Sequence, residues 1–286
     1  MSPTLSSTSL TRSLADAHTR VRLVAIDLDG TLLRSDRTVS SRTRAALATT
    51  RDAGIEIVLA TARSPRSTRL IAADANLTGI AVCANGAIVY DLDADRIVKH
   101  TPLAAETAHR LVVGLRACVP GVVFGWEHEL RFGSEPAYEQ LRADGWWPRP
   151  DDAYPPCDPL SWTGPMTKLL ARCPNADLEE LLYVARTLAG DDASATLAGD
   201  AFVELAAAGV GKEQAVAAFA AGLGIDRTRV VAFGDHLTDA AMVAWAGHGV
   251  AVANAHPAVL AAADEVTASN EEDGVAIVLE RIAQSR

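Results

Sequence analysis

The chain has 286 residues, 49% hydrophobic and 22% charged, an ordinary balance for a soluble globular protein long enough for two domains, each with its own core. A net charge of −10 and a pI near 5.2 argue against nucleic acid or an anionic membrane as the main partner, although a bound divalent cation can invert the local sign for a small anionic ligand. No apolar run approaches the roughly 18 residues of a membrane span, and Cys83, Cys118, Cys157 and Cys173 form no CxxC pair, which points to buried, reduced thiols and a cytoplasmic protein.

In chain order, residues 1–20 read as a disordered leader. They are rich in Ser and Thr and carry no apolar stretch of the kind a secretory signal needs. From residue 21, strand-like apolar runs (Val21–Ile26, Ile55–Ala60, Ile80–Cys83) alternate with helical stretches. Ser40–Ala53 opens on Ser40 as N-cap and closes at Gly54, and Ser64–Asn76 opens with Ser64 then Pro65, the order expected of N-cap and first helical residue. Strand, helix, strand with short links predicts right-handed βαβ units and a parallel sheet covered on both faces.

The rhythm changes after Ala84. The stretch that follows holds four of the five tryptophans (Trp126, Trp146, Trp147, Trp162), a Pro-rich loop RPDDAYPPCDP, two helices (Pro102–Ala117, Asp177–Leu188) and strand-like segments at Val122–Trp126 and Lys168–Cys173. This mixture reads as an α+β module inserted into the α/β core. The βα rhythm resumes near Phe202, with further strands at Val230–Phe233 and Gly249–Ala253. The expected organisation is therefore a Rossmann-like parallel-sheet core (residues 21–85 and 200–286) with an inserted α+β cap (residues 86–199).

VRLVAIDLDGTLL, residues 21–33, sets the chemical problem: a buried strand runs into two carboxylates, Asp27 and Asp29. Like charges so close repel, and each costs free energy to desolvate. Asp29-Gly30 alone would suit a solvated hairpin turn. A calcium loop fails, because counting from Asp27 its glycine and glutamate positions hold Leu32 and Thr38. In a parallel sheet, ligands gather at the carboxyl ends of strands. Asp27 ends the first strand and Thr61 the second. Asp235 follows Val230–Phe233, with Asp239 four residues on, and Lys212 opens a helix whose positive end favours an anion. Carboxylates crowded on one rim need a hard cation, and oxygen ligands suit Mg²⁺. Magnesium beside a lysine and a hydroxyl makes a phosphate site.

DLDGTLL (27–33), Thr61 in ATAR, ANGA (84–87), Lys212 in GVGKEQA, GDHLTDAAM (234–242) and SNEEDGVA (269–276) resemble, in order and spacing, the haloacid dehalogenase superfamily. Within it they resemble the Cof-like phosphatases (type IIB, with a large C2-type cap). The resemblance covers nearly the whole chain after residue 20. It implies a Mg²⁺-dependent phosphatase of small phosphomonoesters, among them sugar phosphates and flavin-related metabolites. Asp27 would be the nucleophile, forming an aspartyl-phosphate, and Asp29, two residues on and facing the same way in an extended chain, the acid and base. Thr61 and Lys212 would hold the phosphoryl oxygens. Asp27, Asp235, Asp239 and the backbone carbonyl of Asp29 would hold the metal, while Gly30 lets the phosphate approach and Arg63, Asn85 and Gly86 line the substrate side.

Two positions depart from the family pattern: Thr238 where asparagine is common, and Ala62 where glycine often precedes the arginine. Of the cap residues, Trp126, Glu127, His128 and Arg131 are candidates to face the substrate, and Trp146 and Trp147 read as cap core. A phosphosugar mutase and a non-catalytic binding protein on the same fold are the alternatives.

Overall fold

The computed structural model describes residues 21–141, 153–199 and 202–284. The leader, Trp146, Trp147 and the start of the Pro-rich loop lie outside the described residues. Thirteen strands and nine α-helices are described, in two compact units. The first comprises the described residues of Met1–Thr61, Leu70–Val82 and Lys212–Arg286, the second those of Ala62–Arg69 and Cys83–Gly211.

The chain opens with β1 (Leu23–Ile26), α1 (Ser41–Asp52), β2 (Glu56–Ala60), α2 (Pro65–Asp74) and β3 (Ile80–Cys83). Ser40 caps α1 through its hydroxyl, which accepts from Thr43 N. Next come β4 (Ile88–Asp91), β5 (Arg96–His100), α3 (Ala105–Cys118), β6 (Val123–His128), β7 (Arg131–Ser134), α4 (Pro136–Leu141), β8 (Lys168–Arg172), α5 (Leu178–Ala189), β9 (Ala193–Ala198) and β10 (Phe202–Ala207). The chain closes with α6 (Lys212–Gly222), β11 (Val230–Gly234), α7 (Ala240–Trp245), β12 (His248–Ala251), α8 (Pro257–Ala262), β13 (Glu265–Val266) and α9 (Gly274–Gln284).

In the first unit the strands run in the order β13-β12-β11-β1-β2-β3, every neighbouring pair parallel. All four residues of β1 are buried, as a strand covered on both faces requires. Leu23 and Ala25 point into one core with Val58, Ala60, Val230 and Ala232, against Val216 and Ala220 of α6 and Met242 of α7. Full burial of a side chain such as Leu23 contributes about 1.5–3 kcal/mol. Sequence order runs outward from β1 on both sides, so the β1–β11 pair is the point where strand order reverses and a crevice opens at the strand ends.

The second unit is built on an antiparallel sheet, β7-β6-β8-β10-β9. Phe124, Trp126, Leu169, Ala171, Val203 and Leu205 share one face and pack on Leu111 and Leu115 of α3 and Leu181, Leu182 and Ala185 of α5. Asp177 caps α5, its carboxylate accepting from Glu179 N and Glu180 N. Phe202–Ala207, where the βα rhythm was expected to resume, pairs antiparallel with β8 and β9 instead. Its alternation explains why: Val203 and Leu205 are apolar and Glu204 between them is not, the period of a strand with one apolar face. Helix α3 begins at Ala105, not Pro102, because Leu103 exchanges backbone hydrogen bonds with Met166 and holds the chain extended there.

Candidate active site

Asp27 stands at the last rung of the β1–β11 ladder, its N–H donating to Phe233 O at 3.1 Å. The chain then turns at once: Leu33 N returns to Leu28 O at 2.8 Å and Leu32 N to Asp27 O at 3.2 Å. Gly30 has φ +77°, and a β-carbon there would lie 2.4 Å from Oδ2 of Asp235. Only glycine takes this conformation without strain while leaving that carboxylate in place. On the next strand over, the loop after β11 brings Asp235 and Asp239 to the same edge.

Asp27, Asp235 and Asp239 each present an oxygen within 4.8 Å of the others. Lys212, the first residue of α6, lies between two of them. Its Nζ donates to Asp27 Oδ1 and to Asp239 Oδ1, both at 2.6 Å, and the lysine is 3% exposed. A cation at a helix N-terminus is disfavoured by the dipole; here two carboxylates supply the compensation. The other oxygen of Asp239 accepts from the backbone N–H of His236 (2.9 Å) and of Asp235 (3.2 Å), so Asp239 is fixed from both sides.

The charges do not balance. Three carboxylates face one ammonium, with Asp27 and Asp239 almost fully buried. Burial pushes the Asp27 carboxyl well above the usual range, Asp239 adds to this, and Lys212 offsets only part of it. Burial likewise raises Asp235 against the hydrogen bond it accepts from Thr31. Burial works against the Lys212 ammonium, but Asp239 and Asp27 outweigh it and hold its pKa above the ordinary lysine value. Three convergent carboxylates with excess negative charge and no nitrogen or sulfur ligand fit a hard divalent cation.

The other expected residues fall as follows. Thr61 is buried directly after β2, its N–H donating to Val82 O at 2.8 Å. Asp29 is exposed and pairs with Leu33 in an isolated bridge. Arg63, Asn85 and Gly86 belong to the second unit. There Ala84 N donates to Arg63 O at 2.8 Å, Asn85 has φ 54°, and a β-carbon on Gly86 (φ +105°) would lie 2.3 Å from Gly211 O. Thr238 Oγ1 contacts the His236 ring at 3.3 Å, and His236 caps the short turn that carries Asp239.

Residues that sequence reasoning missed complete the frame. The buried Thr31 hydroxyl donates to Asp235 Oδ1 at 2.6 Å. Asn254 Nδ2 donates to Gly30 O at 2.8 Å, and its Oδ1 accepts from Asn270 N. Asn270 Nδ2 in turn donates to Leu33 O. Thr31 was legible as part of DGT but not its partner. Asn254, far from residue 30 in sequence, gives no local sign, and Asn270 lies within SNEEDGVA, where nothing marks its bond to Leu33 O.

A family model for haloacid dehalogenase-like hydrolases matches residues 24–279. A 5-amino-6-(5-phospho-D-ribitylamino)uracil phosphatase of Bacillus subtilis is 27% identical over 270 residues, 90% of this chain and 93% of that protein. A pyridoxal phosphate phosphatase of Escherichia coli is 26% identical over 263 residues, 89% and 96% of the two chains. Among solved structures, a haloacid dehalogenase-like hydrolase from Bacteroides thetaiotaomicron aligns with a TM-score of 0.75 at 26% identity, covering 92% of this chain and 99% of that one.

Proposed function

Because the chain belongs to the haloacid dehalogenase-like hydrolase family, we propose that it is a Mg²⁺-dependent phosphomonoesterase of small phosphorylated metabolites, acting through an aspartyl-phosphate. The observation that carries this reading is the convergent trio of Asp27 and Asp239, both buried, and the part-buried Asp235, with Lys212 held between the two buried members. The three carboxylates and the backbone carbonyl of Asp29 would hold the ion, which, when bound, offsets the repulsion between a carboxylate and an incoming phosphate.

The remaining chemistry belongs to the side chains. An oxygen of Asp27 attacks phosphorus as the bond to the ester oxygen breaks, and Asp29 gives that oxygen its proton. Asp29, now ionised, takes a proton from the water that attacks the same phosphorus. The acyl-phosphate P–O bond then breaks, releasing inorganic phosphate and restoring Asp27. The exposure of Asp29 suits a group that exchanges protons with solvent. Lys212 fixes the orientation of the Asp27 carboxylate and, with Thr61, stabilises the charge on the transferring phosphoryl group.

In this reading the antiparallel unit, with β10 (Phe202–Ala207) included, acts as a cap that contacts the alcohol part of the ester, Arg63, Asn85 and Gly86 serve the substrate side, and the protein works in the cytoplasm. The named activities of the Bacillus subtilis and Escherichia coli relatives, both toward phosphate esters of small metabolites, support the substrate class. The test is a screen of the purified protein against phosphate esters with and without Mg²⁺. Steady release of inorganic phosphate that needs the metal and disappears in Asp27→Asn is expected; release that survives chelation overturns the metal assignment.

A further inference from the structure

The turn that follows Asp27 is braced from outside by two side chains with no part in the chemistry above. Asn254 lies in the loop between β12 and α8, and Asn270 in the segment between β13 and α9, all within the first unit. Asn254 Nδ2 donates to Gly30 O at 2.8 Å, and its Oδ1 accepts from Asn270 N at 3.0 Å. Asn270 Nδ2 donates to Leu33 O at 2.8 Å. The Asn254 amide thus faces a carbonyl with its nitrogen and an N–H with its oxygen, and only that way round satisfies both. Two residues on, His256 N donates to Asp235 O at 2.8 Å. A single short loop is therefore bonded both to the turn after Asp27 and to the backbone that carries Asp235.

The peptide that Asn254 holds is the one between Gly30 and Thr31, and both residues bear on Asp235. A β-carbon at Gly30 would lie 2.4 Å from Asp235 Oδ2, and the Thr31 hydroxyl donates to Asp235 Oδ1 at 2.6 Å. Rotation of that peptide draws the hydroxyl off Asp235 and, through the Gly30 backbone, shifts the Asp29 carbonyl. Asn254 is exposed, so water can satisfy Gly30 O and Asn270 N when its side chain is gone. Its loss therefore costs little in folding. What water does not replace is the fixed position, and about 1 Å of misplacement lowers a rate about 100-fold.

We infer that Asn254, braced by Asn270, is a positioning residue of the carboxylate site. It fixes the Gly30–Thr31 peptide, and with it the places that the Asp29 carbonyl and the Asp235 carboxylate take toward a divalent cation. The inference rests on the phosphatase reading in one respect: the Asp29 carbonyl and Asp235 are among the metal's ligands. Groups that orient ligands without touching the metal still govern its affinity, because a ligand free to turn away must be ordered again each time the ion binds.

The test compares full-length wild type with Asn254→Ala. In the metal-free proteins, hydrogen exchange is read at the Thr31, Leu32 and Leu33 amides, which close the turn onto Leu28 O and Asp27 O. The variant is expected to exchange about fivefold faster or more at these amides, with the melting temperature of the wild type. Calorimetric titration with Mg²⁺ is expected to give a dissociation constant raised about tenfold. Asn270→Ala, which removes the bond to Leu33 O, should move exchange and affinity the same way, and it supplies the readout if Asn254→Ala does not fold. Unchanged exchange overturns the inference. So does an unchanged Mg²⁺ affinity, whether or not the melting temperature falls, since Asn254 is then structural only. A wild type that binds Mg²⁺ with this dependence on Asn254 but hydrolyses no ester overturns the phosphatase reading alone, and one that binds no Mg²⁺ overturns both.

Discussion

Gly30 and Asp235 are locked together: a β-carbon on the first would lie 2.4 Å from the Oδ2 of the second. The glycine is therefore part of the carboxylate site although it carries no functional group. Gly30→Ala meets two penalties at once. Its φ of +77° costs an L-residue about 1–3 kcal/mol, and the methyl forces Asp235 to move. A displaced ligand costs more in activity than in stability, since about 1 Å of misplacement lowers a rate about 100-fold. Steady-state kinetics with Mg²⁺ titration are expected to show that loss together with a raised metal requirement, and unchanged kinetics would remove Asp235 from the site.

Asp27→Asn separates fold from chemistry. Asparagine keeps the shape and removes one of three crowded like charges, so the metal-free variant is expected to melt no lower than the wild type. Turnover is expected to fall by at least about 1000-fold, because an amide is no nucleophile toward phosphorus. The melting temperature should also rise less on adding Mg²⁺ than it does in the wild type, because a ligand stabilises only as far as it binds. Calorimetry and phosphate release on one preparation read all three.

Thr31→Val tests a residue that acts through another. Valine matches threonine in shape but cannot donate to Asp235 Oδ1, a bond of 2.6 Å in the wild type. Asp235 is already raised by burial, and the Thr31 bond is the largest of the influences that oppose that rise, ahead of Lys212, so losing it makes the carboxylate a poorer ligand. The Mg²⁺ concentration for half-maximal activity is expected to rise about 10–100-fold, the usual cost of losing a partner of a metal ligand. Thr31→Ser should restore it.

These three residues also mark how far the sequence reaches. The strands β1, β2, β3 and β11 are legible because each is a short apolar run between helical patterns, charged only at the exposed Glu56 that opens β2, and burial on both faces demands that composition. That Asp27, Lys212 and Asp239 meet follows from each standing at the end or start of an element on one sheet edge. Thr31 is different: its partner is 204 positions away, and no local pattern encodes such a bond. β10 was misread for the opposite reason. Its alternation of Val203, Glu204 and Leu205 is present in the sequence, but the adjacent GVGKEQA draws the strand toward the α/β pattern. Alternation also divides Trp126, Glu127, His128 and Arg131, which sequence proximity had grouped. Trp126 is buried under α3 and α5 and His128 stacks near Trp162 at 5.3 Å. Glu127 lies on the other face, and Arg131 sits over the Tyr154 ring at 3.9 Å.

The sheet edge far from β3 offers a pH-dependent test. Glu265 on β13 accepts from Arg281 of α9, both oxygens lying 2.6 Å from Nη2, and its Oε2 lies 2.9 Å from His248 Nε2 of β12. Burial alone would raise its carboxyl, but the His248 and Arg281 hydrogen bonds outweigh it and bring the pKa from 4.5 down to about 2. A carboxyl depressed on folding stabilises the native state above its unfolded pKa and loses that contribution as pH falls toward its folded one. Glu265→Gln should therefore melt below the wild type at pH 7. The gap should hold down to about pH 5, narrow between about 4.5 and 2, and close below that. Thermal unfolding of both proteins across this range measures it, and a gap independent of pH would mean that Glu265 acts by packing and not by charge.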